Sequence, residues 1–162
     1  MKINAAVLHE MGKSGPYSTS KPLSVEEVDL EGPGVNEVLV KIKAAGLCHS
    51  DLSVINGNRP RPLPMVLGHE AAGEVVELGQ GVDRLSIGDH VVFAFLPSCG
   101  HCANCATGRA ALCEPGAKAN GEGVLMSGHK RIKNETMHYH HHLGVSGFSE
   151  YAVASVNSLV KI

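Results

Sequence analysis

The chain contains no tryptophan, three tyrosines and three phenylalanines, so aromatics make up 4% of its 162 residues. Proteins that hold single-stranded nucleic acid stack bases on aromatic rings along a basic groove. Here both elements are missing, because 14 Lys and Arg stand against 16 Asp and Glu and the formal net charge is −2. That balance excludes nucleic acid and anionic lipid surfaces as electrostatic partners. No apolar run approaches the roughly 20 residues of a membrane span. The N-terminal MKINAAVLHEMG lacks the apolar core of about 7–15 residues that a secretion signal carries. A cytosolic location is expected, where thiols stay reduced. No G-x-G-x-x-G follows a strand-like run: the glycines of GEGVLMSGHK have no buried strand before them, and no G-x-x-x-x-G-K occurs. Neither phosphate loop is present.

What remains is the composition of an ordinary globular domain, 43% hydrophobic and 19% charged, long enough to bury about two-thirds of its unfolded surface. EVLVKIKAAG (37–46) alternates Val38, Val40 and Ile42 with charged neighbours, which predicts a half-buried strand. EAAGEVVELG and IGDHVVFAFLP are short Val-rich runs bounded by glycine, again strand-like. CHSDLSVING (48–57) predicts a short helix with Ser50 or Asp51 capping it. Pro60, Pro62 and Pro64 force the next segment to be extended or irregular. Residues 117–147, rich in glycine and histidine with weak periodicity, read as an irregular excursion. The fold class is mainly β with a few short helices, and a compact barrel suits so many short strands and 19 glycines.

Four of the five cysteines crowd into SCGHCANCATGRAALCEP. Cys99, Cys102, Cys105 and Cys113 form the pattern C-x2-C-x2-C-x7-C. A reducing compartment and an odd cysteine count argue against disulfides. Four thiolates at this spacing can surround one tetrahedral zinc ion as a closed structural site. An iron–sulfur cluster uses similar spacing and stays open as the alternative.

The fifth cysteine, Cys48, precedes His69 by 21 residues, and Glu70 follows directly. Cysteine, histidine and carboxylate are the ligand types of a catalytic zinc site, which keeps one position open. Asp51 fits the carboxylate that orients a ligating histidine. Taken singly, each is more often a structural residue. Together they are specific: GHEAAGEVVELGQGV fits G-H-E-x2-G-x5-G-x2-V, and the chain resembles the zinc-containing, medium-chain alcohol dehydrogenases. Cys48, the four-cysteine lobe (about 97–115) and HHHLGVSGFSEYAVASVNSLVKI are similar to the liver-type branch, so the resemblance covers essentially all of the sequence.

The resemblance implies a GroES-like catalytic domain over 1–162, with a Rossmann domain binding NAD or NADP beyond it. It implies catalytic zinc ligands at Cys48 and His69, with Glu70 behind the metal, and structural zinc on Cys99, Cys102, Cys105 and Cys113. Asp51 matches the partner of the histidine ligand, Ser50 the hydroxyl that takes the substrate proton, and His49 a residue near the cofactor pyrophosphate. Phe95, His142 and Leu143 match the lining of the substrate pocket. The implied activity is oxidation of small alcohols to aldehydes or ketones by hydride transfer, in a homodimer or homotetramer. Three departures stand out. Ser53 occupies a place where some members end the proton relay in histidine. Arg59 replaces an apolar pocket residue. The family's third catalytic ligand, a cysteine, falls beyond Ile162, so a fragment is expected to be inactive alone. Two rival readings are a glutathione-dependent formaldehyde dehydrogenase, which tends to carry an acid at the Arg59 position, and a non-enzymatic zinc-knuckle binding module. A zinc-free, quinone-reductase-like relative would lack the Cys48/His69 pair and the lobe.

Overall fold

A computed structural model describes residues 1–162. Its elements, in chain order, are β1 (Lys2–Leu8), α1 (Tyr17–Ser20), β2 (Leu23–Leu30), β3 (Glu37–Gly46), α2 (His49–Ile55), β4 (Met65–Val66), β5 (Glu70–Leu78), β6 (His90–Phe93), α3 (Ala103–Ala106), α4 (Glu114–Glu122), β7 (Ile132–Lys133), β8 (His138–His141), β9 (Tyr151–Ser155) and β10 (Leu159–Lys161). Strands dominate and all four helices are short, as the composition led one to expect. β1, β2, β7, β8 and β4 close into a barrel, and β10, β6, β5, β3 and β9 form a second sheet in that order.

β3 departs from the half-buried strand its alternation predicts. Val38 and Val40 are 0% exposed in one core with Val75, Val91 and Ala154, while Leu39 faces a second core with Ile3, Val28, Leu30 and Val153. The start of the strand is buried on both faces because it lies between β5 and β9, with the barrel behind. Burying each such Val or Leu contributes about 1.5–3 kcal/mol. Glu37, 1% exposed, is tolerated there because Arg131 Nε donates to it at 2.8 Å, Gly34 N at 2.7 Å and Ser127 Oγ at 2.5 Å.

Segment 117–147 is not an irregular excursion. α4 opens with Glu114 and Pro115 in its first turn and ends at Gly123, whose φ of 66° supplies the left-handed cap. β7 and β8 then pair with each other (Ile132 with Tyr139), with β2 (Leu30 with Ile132) and with β4 (Val66 with His141), which closes the barrel. Strands of two and four residues carry no readable alternation, so the sequence pattern is silent there. The long reach from residue 66 to residue 141 is satisfied in three dimensions instead.

Candidate metal centres

α2 is seven residues long and depends on its cap and packing rather than its own propensity. The capping residue is Cys48, not Ser50 or Asp51. Its sulfur accepts from Ser50 N at 3.5 Å, and Asp51 reaches back to accept from Cys48 N at 3.2 Å through Oδ2. Val54 and Ile55 pack against Leu8, Met65 and Leu67 and fix the helix on the barrel. Cys48 and Asp51 are therefore held by one local motif.

Gly68 brings the second half of the site into place. Its φ is +91°, and a Cβ there would meet Phe148 N at 2.5 Å, so only glycine lets the chain turn from β4 into β5. His69, 5% exposed, and Glu70, exposed at the first position of β5, follow that turn. Single ligand atoms of Cys48, His69 and Glu70 lie within 4.8 Å of one another. Asp51, 4% exposed, is the hub behind them: Oδ1 accepts from Gly68 N at 3.2 Å and pairs with His69 Nδ1 at 3.2 Å. With the Nδ1 proton donated to Asp51, the Nε2 lone pair is left for a metal. His142 Nδ1 stands 3.1 Å from the same Oδ1, within ion-pair distance but without hydrogen-bond alignment. Burial pushes the Asp51 carboxyl up, but the two imidazoles outweigh it and hold it below its ordinary value.

Of the residues expected to line a pocket, Phe95 alone is exposed, at 52%. Its ring meets His69 edge-on at 5.8 Å, beside an apolar hollow of about 490 Å³ bounded by Phe93, Leu96, Ala110 and Ala111. His142 is 1% exposed with its ring 5.2 Å from that of His69, and Leu143 is 7% exposed. Leu143 and Ser146 take φ of 53° and 54°, a sharp turn that drives His142 inward. Ser50 is half-buried and His49 exposed. Ser53 Oγ lies 3.4 Å from His49 Nδ1, so these two side chains, one helical turn apart, face each other. Nothing in the sequence pointed to Asn120, yet it is buried and donates to Phe95 O at 2.8 Å, holding that backbone.

The lobe gathers Cys99, Cys102, Cys105 and Cys113 so that their sulfurs lie within 4.8 Å of one another, and none forms a disulfide. Zn–S bonds of about 2.3 Å in a tetrahedron put sulfurs about 3.8 Å apart, which this cluster accommodates. Backbone N–H groups aim inward: Cys99 N donates to Cys113 Sγ at 3.2 Å and Cys102 N to Cys99 Sγ at 3.3 Å. Such donors favour thiolate over thiol. The N–H of Cys105 brings the Cys102 thiol down to about 6, whereas loss of solvent and then the crowding sulfurs push Cys105 up to about 11. Four sulfurs this close cannot all ionise without a cation among them. Gly116 completes the fit, since a Cβ there would strike Pro97 O and lie 3.5 Å from Cys113 Sγ.

Comparison with known proteins adds an independent line. Residues 34–162 match the family model described as the alcohol dehydrogenase GroES-like domain. The chain is 43% identical over 162 residues to an NDMA-dependent alcohol dehydrogenase of Amycolatopsis methanolica, covering 100% of this chain and 41% of the relative. It is 42% identical over 163 residues to an S-(hydroxymethyl)glutathione dehydrogenase of Synechocystis, covering 100% of this chain and 42% of that one. The crystal structure of an alcohol dehydrogenase zinc-binding domain protein from Burkholderia ambifaria superposes with a TM-score of 0.88 at 37% identity, over 100% of this chain and 42% of its own. The chain thus spans about two-fifths of the length of the curated relatives it matches.

Proposed function

The chain belongs to the alcohol dehydrogenase GroES-like domain family, and from that premise we propose that it is the catalytic domain of a zinc-dependent alcohol dehydrogenase using NAD or NADP. The observation that carries this reading is the convergence of Cys48, His69 and Glu70 on one point, with Asp51 bracing His69 from behind. When bound, zinc supplies Lewis acidity that lowers the pKa of an alcohol hydroxyl, and the nicotinamide supplies a hydride acceptor. Everything else falls to side chains.

Cys48 and His69 hold the metal, the thiolate offsetting part of its charge. Glu70, at the start of β5 and within 4.8 Å of both, would be the third donor within this chain. Asp51 keeps the imidazole in one tautomer and one orientation through its bond to Nδ1. Ser50, two residues past Cys48 on α2, takes the alcohol proton and passes it outward. His49, exposed beside it, offers a ring N–H toward the cofactor's pyrophosphate. Phe95 gives the hydrocarbon of the substrate an apolar wall. Cofactor binding itself belongs to the part of the relatives' length that this chain does not span. Cys99, Cys102, Cys105 and Cys113 would hold a second zinc, whose role there would be to tie residues 99–113 into one rigid piece.

The test uses the full-length protein. Two zinc ions per chain and NAD- or NADP-linked oxidation of a primary alcohol are expected. Cys48→Ala abolishes turnover and removes one zinc, leaving the lobe's ion in place. Undiminished turnover by this variant refutes the assignment of the catalytic centre.

A further inference from the structure

The loop between α2 and β4 carries two arginines with no acid to meet. Arg131 spends its charge on Glu31 and Glu37, but neither Arg59 nor Arg61 has a carboxylate within 4.0 Å. Arg59 is exposed. Arg61 is half-buried, its Nη1 donates to Asn120 O at 3.4 Å, and its Nε is buried without any partner. Asn120 Oδ1, on the residue that Arg61 touches, is likewise buried and unpartnered. The open Arg61 Nε–H is costly unless an acceptor reaches it, which an anion supplies, whereas Asn120 Oδ1 needs a donor and is no part of that demand.

Their position relates them to the catalytic cluster. Asn120 donates to Phe95 O at 2.8 Å, and the Phe95 ring sits 5.8 Å from that of His69. Arg61 is also near enough to His142 for its charge to be felt there, and the His142 ring is 5.2 Å from that of His69. Loss of solvent first, and then the charge of Arg59, makes Arg61 less willing than usual to carry its own proton. Two cations side by side, one partly stripped of water, are relieved by an anion. The planar guanidinium fork matches a carboxylate.

We propose that Arg61, with Arg59 beside it, forms an anion-binding subsite at the edge of the catalytic centre, so that the enzyme selects an alcohol bearing a carboxylate remote from the reacting hydroxyl. The proposal rests on the dehydrogenase reading given above. Apolar contact with Phe95 orients the middle of such a substrate while the arginines hold its far end.

The experiment measures kcat/KM of the full-length enzyme for 4-(hydroxymethyl)benzoate and for its neutral isostere 4-(hydroxymethyl)benzamide, with NAD and with NADP. The ratio of the two constants is independent of how much enzyme is folded or loaded. The parent enzyme favours the carboxylate by about tenfold or more, and Arg61→Met lowers the ratio by about 10- to 100-fold, the worth of a charge-assisted hydrogen bond. Arg61→Lys recovers part of it by restoring charge without the fork. An equal preference in the parent, or a ratio unmoved by Arg61→Met and by Arg59→Gln, overturns the subsite. A variant that changes only the KM for NADP overturns it too, by assigning the arginines to the cofactor's phosphate. Oxidation of neither of these alcohols nor of any simple primary alcohol by the parent overturns the dehydrogenase reading and the subsite with it. Oxidation of a simple alcohol but of neither probe overturns the subsite alone. Oxidation of both at an unchanged ratio overturns the subsite alone.

Discussion

His141 makes the stability of this domain depend on pH in a way that can be isolated. Its side chain is 1% exposed, Nε2 accepts from Arg131 N at 3.0 Å, and Nδ1 faces Ser146 Oγ at 3.5 Å. A second ring proton would set an N–H against the Arg131 N–H, donor against donor, in a place water does not reach. Burial first, and after it the charge of Arg131, lowers the imidazole to about 3, against an ordinary value of about 6.5 in the unfolded chain. Because the folded value is depressed, the unfolded chain takes up the proton first. Stability is therefore fully present above about pH 6.5 and is lost as pH falls from there toward about 3. Each pH unit in that window costs about 1.4 kcal/mol, so at about pH 5 the loss from this one residue is about 2 kcal/mol. That is a large share of the roughly 5–15 kcal/mol that a folded domain possesses.

His141→Gln provides the control, because Gln Oε1 can accept from Arg131 N where Nε2 did and does not titrate. Denaturant unfolding of both proteins at about pH 7.5 and about pH 5 gives four free energies. The parent is expected to lose about 2 kcal/mol more than the variant over that interval. Zinc release and the other histidines cancel in this double difference, since both proteins share them. Parallel losses, agreeing within about 0.5 kcal/mol, refute the claim that His141 is held neutral.

The remaining predictions address the two metal centres. Cys102→Ser removes one zinc and destabilises the lobe, read as metal content and as midpoint of thermal unfolding, since structural zinc binding is also folding energy. A brown parent protein with visible absorbance would instead establish a cluster there. Ser50→Ala lowers kcat by about 10²-fold or more in the full-length enzyme, and a near-normal kcat removes Ser50 from the proton path. Asp51→Asn weakens zinc at the Cys48/His69 centre by about 10- to 100-fold in chelator competition while the lobe's zinc exchanges as before. Unchanged affinity there means that Asp51 braces only the backbone.

The parts of this molecule legible in the sequence are those whose physics is local or whose spacing is chemically restrictive. Four thiols at C-x2-C-x2-C-x7-C have few uses, and the structure gathers all four. Cys48, His69 and Glu70 also meet, though 21 residues separate the first two, because a capped helix start and a left-handed glycine each fix one half. α4 was legible in principle, with Pro115 near its start and Gly123 at its end, but weak apolar periodicity hid it. β7 and β8 were not, since strands this short are defined by partners far along the chain rather than by their own residues. The same divide separates His142 from Asp51. Asp51 sits three residues from Cys48 and its capping role is local. His142, just past β8 and before the sharp turn at Leu143–Ser146, reaches Asp51 across 91 positions, and no local pattern around either residue shows that pairing. Arg61 is the sharpest case. An arginine in a proline-rich loop reads as a solvated charge, and its buried Nε becomes visible only once Asn120, 59 positions away, is folded against it. The residues of the metal centres are thus written into motifs, whereas the surroundings of Arg61 and His142 are written into packing.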